Sequence, residues 1–432
     1  MDPPRRAVEI HLCDCLTCNA KIRDLETRVK KLEELLLRLS PLREPPAFIK
    51  PETETKHSKP SGRPEGHEGV GRPTPEQIDK QAKLAPIATC PDCGKPVQIK
   101  RTRKRVITRL IPGKIENTEY EIPQGYCGNC RQSVEPRVPN ALPNSRFDLT
   151  LALWMACLRM LGVSVDKIRF LLQTDYSLKI SSATVVNTCN KLAEFLGEDY
   201  EQLRKDLVKE KRVHGDETGW RTKGKRRWLW EFISKNTAYF TIRKTRGHEV
   251  PVEVMKGFNG VFSSDFWNAY NFLECEKQKC WVHLKRELDK VLKYRHSKEF
   301  ARFASKLMRL FYWAKTERNH GAKTRAFAEK RLQALLSQDY RNEDCKRLVK
   351  TLSRYQNELF TFCARRGVET DNNHAERGIR PAVVIRKISF GSQSDRGAQT
   401  TSVLMSFFQT ARLREENFTE FMQEMAQNRL QN

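Results

Sequence analysis

Nowhere in this 432-residue chain do apolar residues run for the roughly 18 to 20 positions that a bilayer-spanning helix needs. The N-terminus, MDPPRRAVEIHLCDC, also lacks the apolar core of a secretory signal. The expected location is therefore the cytoplasm. Acidic residues are short as well: 53 Asp and Glu face 79 Lys and Arg, a net charge of +26. That imbalance asks for a polyanionic partner, and nucleic acid is the usual one. A membrane surface competes, but no strongly amphipathic basic helix flanked by anchors is present. Hydrophobic content of 38% is somewhat low and, at this length, fits three or four small domains joined by polar linkers.

Cysteine is the exception to this scarcity. There are 13, an odd number, and several sit in close pairs. In a cytosolic chain that pattern points to metal ligands before disulfides. Cys157, Cys189, Cys275, Cys345 and Cys363 stand alone and read as small buried apolar residues.

The segments follow in order. Residues 1–40 hold a cysteine cluster, His11, Cys13, Cys15 and Cys18, which fits either one tetrahedral zinc site or a reduced tail. A heptad seam follows, Ile22, Leu25, Val29, Leu32, Leu36 and Leu39, which reads as a coiled coil that self-associates into a homodimer or higher assembly, or else as a helix packed on its own chain. Residues 41–86 are a Pro-rich linker. Residues 87–140 carry two CxxC knuckles, Cys90 with Cys93 and Cys127 with Cys130. Each turn aims two sulfurs at one point, so the segment reads as a zinc ribbon with a long hairpin and a structural Zn²⁺.

Residues 141–205 predict a longer helix, Leu149–Leu161, then a pair, Val165–Leu172 and Ser182–Leu196, like a helix-turn-helix. Ser182, Thr184 and Asn187 are its candidate DNA-reading residues; an ordinary helical bundle is the competing reading. Residues 206–294 turn to alternating strands. Arg212–Gly215 leads into Asp216, Trp228–Ile233 and Ala238–Arg243 make a hairpin turned at Lys235-Asn236, and Val261–Ser264 ends in Asp265. A strand-like Lys279–Val282 then precedes a helix from His283. Residues 295–368, nearly free of Gly and Pro, predict helices Ala301–Trp313, Ala322–Leu336 and Asp344–Cys363, an insertion into the surrounding α/β pattern. Residues 369–432 complete the core and end in helices Thr400–Leu413 and Phe418–Leu430.

The stretch Thr370–Gly391 places Glu376 on a short helix among Arg377, Arg380, Arg386 and Lys387. It fits two readings. In one, Asn373 is an N-cap and Glu376 closes a capping box. In the other, a carboxylate among cations holds a metal and receives a phosphate backbone. Asp216 and Asp265, both expected at strand ends, stand 49 residues apart, and Glu376 follows 111 residues later. Two-metal phosphoryl transfer needs acids that converge in this way, as in ribonuclease H-like folds. Arg377, Arg380 and Lys387 are then candidate phosphate contacts, or else a solvated face. His283 orients a phosphate or is a satisfied core histidine.

Taken together, HGDETGW, SDFWNAY, CWVHLKREL, NNHAERGIRP, RKISFGS and GAQTTSVLMSFFQTAR resemble the transposases of the insertion sequence 66 family. The resemblance runs from about Leu25 onward. It implies a DDE transposase, with Asp216, Asp265 and Glu376 as the acids that hold Mg²⁺ or Mn²⁺. The enzyme would cleave transposon ends and join the 3′-hydroxyls to target DNA, double-stranded DNA being the partner and companion proteins of the same element possible helpers. Two departures stand out: Asp265 precedes Phe266-Trp267 where the family often has Gly-Tyr, and the N-terminal cysteine cluster is not expected of it. The alternatives are a catalytically silent DNA-binding regulator derived from a mobile element and a ribonuclease H-like nuclease without strand transfer. The expected fold is multidomain α/β, with a ribonuclease H-like catalytic core interrupted by a helical insertion. A coiled coil, a zinc ribbon and a helix-turn-helix-like helical domain precede that core.

Overall fold

The computed structural model describes residues 140–142 and 145–431 except 318–320, with isolated positions and two short strands between 113 and 134. The cysteine cluster, the heptads, the linker and Cys90, Cys93 and Cys130 lie outside the described residues. Of Cys127 only the backbone is described, in β1 (Gly125–Cys127), which pairs antiparallel with β2 (Gln132–Val134).

Thirty-two residues, Arg212 to Arg243, build three of the five strands of the main sheet. β3 (Arg212–Thr222) and β4 (Lys225–Ile233) meet at Lys223-Gly224, both at positive φ (52° and 72°). Two left-handed residues give a turn whose twist matches the strands it joins. β5 (Ala238–Arg243) returns against β4, with Ile233 opposite Ala238. Ser234 closes that second turn by accepting the amides of Asn236 and Thr237 on its hydroxyl. On the other side β6 (Val261–Ser264) runs parallel to β3, and β7 (Glu276–Lys279) parallel to β6. The order is β5-β4-β3-β6-β7. A mixed five-stranded sheet with an antiparallel meander on one side and two parallel strands on the other is compatible with a ribonuclease H-like core.

An edge strand leaves every second amide unpaired. Here α13 (Asp395–Leu413) covers β5 and supplies the missing acceptors. Ala238, Phe240 and Ile242 donate to the hydroxyls of Thr410, Ser406 and Ser402 at 3.0, 2.8 and 3.1 Å. The hydroxyls recur every four residues, one helical turn, and the amides every two, one strand repeat. The two periods therefore run in step along the contact.

Helices α1 (Leu149–Met160), α2 (Val165–Tyr176), α3 (Ser182–Phe195) and α4 (Gly197–Val208) precede the sheet, and α5 (Glu249–Val254) lies between β5 and β6. Asp148, Ser164 and Ser181 cap the first three with side-chain acceptors. The sheet shares one hydrophobic core with these helices and the C-terminal ones. A second core belongs to α6 (Trp281–Tyr294), α7 (Lys298–Thr316), α8 (Ala322–Leu336), α9 (Glu343–Tyr355) and α10 (Thr361–Ala364). Trp281 pins α6 to that core: its indole donates to the Leu359 carbonyl at 2.6 Å and its ring stacks on Phe311 at 4.4 Å. The chain ends with α11 (Asn373–Gly378), α12 (Arg380–Ser389), α13 and α14 (Phe418–Gln431). Among the described residues no helix is long and apolar enough to cross a membrane.

Three expectations need correction. Asp216 lies inside β3, not at a strand end. The strand expected at Lys279–Val282 ends at Lys279, and the apolar Trp281 and Val282 open α6, because Trp281 is buried among helices. The helix expected over Asp344–Cys363 stops at Tyr355, followed by a 3-10 turn, Gln356–Glu358, and then α10. The turn lets Leu359 and Phe360 reach the core from a new direction.

Candidate active site

β3 fixes Asp216 by its ladder with β4, two residues beyond the stretch Arg212–His214 that pairs with β6. The carboxylate is half-buried and accepts the Glu217 amide at 2.8 Å. Burial, then the charge of Glu217, then those of Asp265 and Glu376 push its pKa up to about 7, against the one amide bond that lowers it. Asp265 and Glu376 thus stand close enough to Asp216 to work against its ionisation.

Directly across the antiparallel pair from Asp216 stands Glu231 of β4. It is fully buried, and among the described residues neither of its oxygens has a hydrogen-bond partner. Burial, reinforced by the charge of Asp216, holds its carboxyl well above the usual range, that is, protonated. The helix carrying Glu376 packs over it at Gly378, where an added Cβ would collide with Glu231 Oε1.

Asp265 follows β6. Its Oδ1 accepts the Trp267 amide at 2.8 Å, and its carbonyl accepts the ammonium of Lys279 at 3.0 Å. Lys279 is wholly buried; desolvation lowers its pKa to about 8, with Glu358 and Asp265 opposing.

Glu376 is placed by its neighbours on α11. The buried Asn372 donates to the Gly215 carbonyl at 2.9 Å, meets His214 Nδ1 at 3.0 Å, and donates its amide to Cys280 Sγ at 3.2 Å. The capping-box reading fails here. The helix starts after Asn372, the Asn373 amide is taken by Asp371 at 3.0 Å, and the Glu376 carboxylate turns to α6. There Arg286 grips it with two bonds, 3.1 and 3.2 Å, and His283 Nε2 lies 3.7 Å away. Among the described residues no three His, Cys, Asp or Glu are gathered closely enough to hold a metal ion. Carboxylates are nevertheless the donors that suit a hard divalent cation, and Asp216 resists ionisation chiefly through burial and the charge of Glu217. Glu376 is engaged by Arg286.

The expected phosphate contacts Arg377, Arg380 and Lys387 are exposed on α11 and α12. Arg386 of the same run faces inward and donates to Thr218 Oγ1 and the Gly219 carbonyl of β3 at 2.7 and 2.5 Å. In the helical segment, Thr184 and Asn187 line a cleft of about 470 Å³ together with Arg146, Lys179 and Lys191. Ser182 instead donates to Asp166 at 2.6 Å.

Sequence reasoning missed Glu217, Glu231, Lys279 and Arg286. One signal was available for Glu231: an acid inside the otherwise apolar WLWEFI. Arg286 follows His283 by three residues, one helical turn, so both present to the same neighbour.

A search of curated proteins finds no match. Residues 150–400, which include Asp216, Asp265 and Glu376, match the family model described as Transposase IS66 family. The match takes in more than half of the chain, and the chain therefore belongs to this family of transposases.

Proposed function

We propose that the chain cuts phosphodiester bonds at the ends of its own mobile element and joins the freed 3′-hydroxyls to target DNA. The observation that best supports this reading is the family match over residues 150–400, which takes in Asp216, Asp265 and Glu376. Asp216, Asp265 and Glu376 would hold Mg²⁺ or Mn²⁺. Such a pair of ions supplies an activated attacking oxygen and charge stabilisation at the phosphate.

The chain's own residues have defined tasks. Asp216, whose proton is held chiefly by burial and by the charge of Glu217, would serve as a ligand in its ionised form. Asp265 is presented by the Trp267 amide and the Lys279 ammonium. Arg286 passes from Glu376 to a DNA phosphate, an exchange of one charge-assisted fork for another. His283 stands beside that exchange. Arg377, Arg380 and Lys387 line the approach of the backbone. The cleft with Thr184 and Asn187, its Ser182 neighbour and a zinc ribbon at Cys90, Cys93, Cys127 and Cys130 would recognise the terminal repeats. The heptads would pair two ends.

The test uses the full chain, linear DNA carrying the ends that flank its gene, and Mg²⁺ or Mn²⁺. Cut ends followed by joined products support the reading. Cutting without joining indicates a nuclease, and binding without cutting indicates a regulator.

A further inference from the structure

Glu217 adjoins Asp216 in β3 and has no task in the reading above. Successive strand residues face opposite sides, so its carboxylate lies away from Glu231. Its side chain is only 1% exposed, yet both oxygens are occupied. Arg246 donates to Oε1 from Nε and Nη2 at 2.9 and 2.6 Å, and the Tyr270 hydroxyl donates to Oε2 at 2.5 Å. Arg246 also lies over Trp267, 3.7 Å from the ring centroid, and over Trp228 at 4.7 Å. The indole of Trp267 returns a bond to the Arg246 carbonyl at 3.2 Å. Its backbone amide is the group that holds Asp265 Oδ1. A chain of directed contacts therefore runs from the residue beside Asp216 to the carboxylate of Asp265.

We infer that Glu217, Arg246 and Trp267 are positioning residues that set where Asp265 stands relative to Asp216. The inference rests on the reading of those two acids as metal-holding. The physical need is placement. Asp265 lies just past the end of β6, beyond its ladder, so it takes its position from the contacts of the residues that follow. Arg246 does two things at once: it holds the buried Glu217 carboxylate and it stacks on the ring of Trp267, two residues after Asp265. Tyr270 ties the far end of the same turn to the same carboxylate. The departure at Phe266-Trp267 gains a use here, because an indole both stacks on Arg246 and donates to its carbonyl.

The experiment compares the full chain with Arg246→Met, Arg246→Lys, Trp267→Phe and, as reference, Asp265→Asn. Arg246→Met keeps the apolar stem and loses the fork. Mn²⁺ binding is measured by calorimetry, the Mn²⁺ dependence of cleavage on end-bearing DNA, end affinity by mobility shift, and folding by thermal unfolding. For Arg246→Met we expect roughly 10–100-fold weaker Mn²⁺ binding, the usual cost of removing a group that orients a ligand, and a matching rise in the Mn²⁺ needed for half-maximal cleavage. End affinity stays within about twofold, since the unit touches no DNA in this reading. Arg246→Lys recovers part of the loss, and Trp267→Phe moves the same way by less. Should Arg246→Met fail to fold, Trp267→Phe carries the test with its backbone amide intact. Folded variants with wild-type Mn²⁺ dependence overturn the inference. So does a loss of DNA and Mn²⁺ binding that merely follows a lowered unfolding temperature. If Asp265→Asn itself cleaves like the wild type, the reading of the acids is what fails; if it abolishes cleavage while Arg246→Met changes nothing, only the positioning role fails.

Discussion

Asp216 sits inside an eleven-residue strand laddered to both neighbours, whereas Glu376 rides a six-residue helix and is gripped by an arginine that is itself 57% exposed. On the sheet side the position of the acid is fixed and its protonation is adjustable, because moving it would break the ladder while burial and nearby charges govern its proton. On the helix side the reverse holds. The Arg286–Glu376 pair is solvent-screened and contributes at most about 1 kcal/mol, so Glu376 exchanges partners at little cost. The ladder thus places the sheet-side acid, while the helix-side acid is held by a contact that exchanges easily.

The strongest way to break this comparison is Asp216→Asn. Cleavage should fall by at least roughly a thousandfold, about 4 kcal/mol of barrier, with end binding within about twofold. A strand-cleavage assay beside a mobility shift measures both, and wild-type cutting would remove the sheet side from the chemistry.

Next comes pH. The Asp216 carboxyl titrates at about 7 when folded, against an ordinary 3.8. The folded chain therefore keeps a proton that the unfolded chain has already lost. The stability from this group is full below about 4 and disappears as pH rises through about 7. In urea unfolding with a chelator, Asp216→Asn should gain on the wild type as pH goes from 5 to 8, by about 2.7 kcal/mol, the two units between pH 5 and the folded value of about 7. His214 is lowered to about 4, by burial first and the charge of His374 second, and works in the opposite sense between about 4 and 6.5. It is common to both proteins and cancels in the difference. A difference that stays flat with pH would show that Asp216 is not held back.

Ser406→Ala tests the rigidity of the sheet side. It orphans the Phe240 amide under α13 and should cost about 1–3 kcal/mol in urea unfolding at any pH. A neutral result would mean that the hydroxyl ladder does not secure the edge.

The smallest effect is on the helix side. Arg286→Met should change stability by less than about 1 kcal/mol and strengthen Mn²⁺ binding in DNA-free protein by a few-fold, as Glu376 is released. Calorimetry without DNA reads this directly, and weaker Mn²⁺ binding would mean that Arg286 assembles the site instead of withholding its third acid.

Much of the fold was legible wherever local chemistry governs it. The β4–β5 hairpin follows from alternating apolar residues and a polar turn, and α2 and α3 follow as the helix pair read over Val165–Leu172 and Ser182–Leu196. The β3–β4 hairpin was hidden because its turn places Lys223, not Asn or Asp, at positive φ, and no local pattern flags that. Asp216 therefore read as a strand end. The apolar Trp281 and Val282 read as a strand because a short apolar run has no period of its own, and burial decided for a helix. In the candidate site the flanks proposed the three acids but not their partners: Arg286 lies 90 residues before Glu376 and Arg246 lies 29 after Glu217.

What the sequence determined by itself is a basic chain, strands and helices in a particular order, and three acids set among cations, since charge, alternation and capping act within a few residues. Only the tertiary structure decided that Glu231 lies opposite Asp216, that Glu376 is held by Arg286 instead of capping its own helix, and that Asp216 keeps its proton to about pH 7. Those outcomes depend on register, burial and the sum of distant charges, which exist only after the chain has closed on itself.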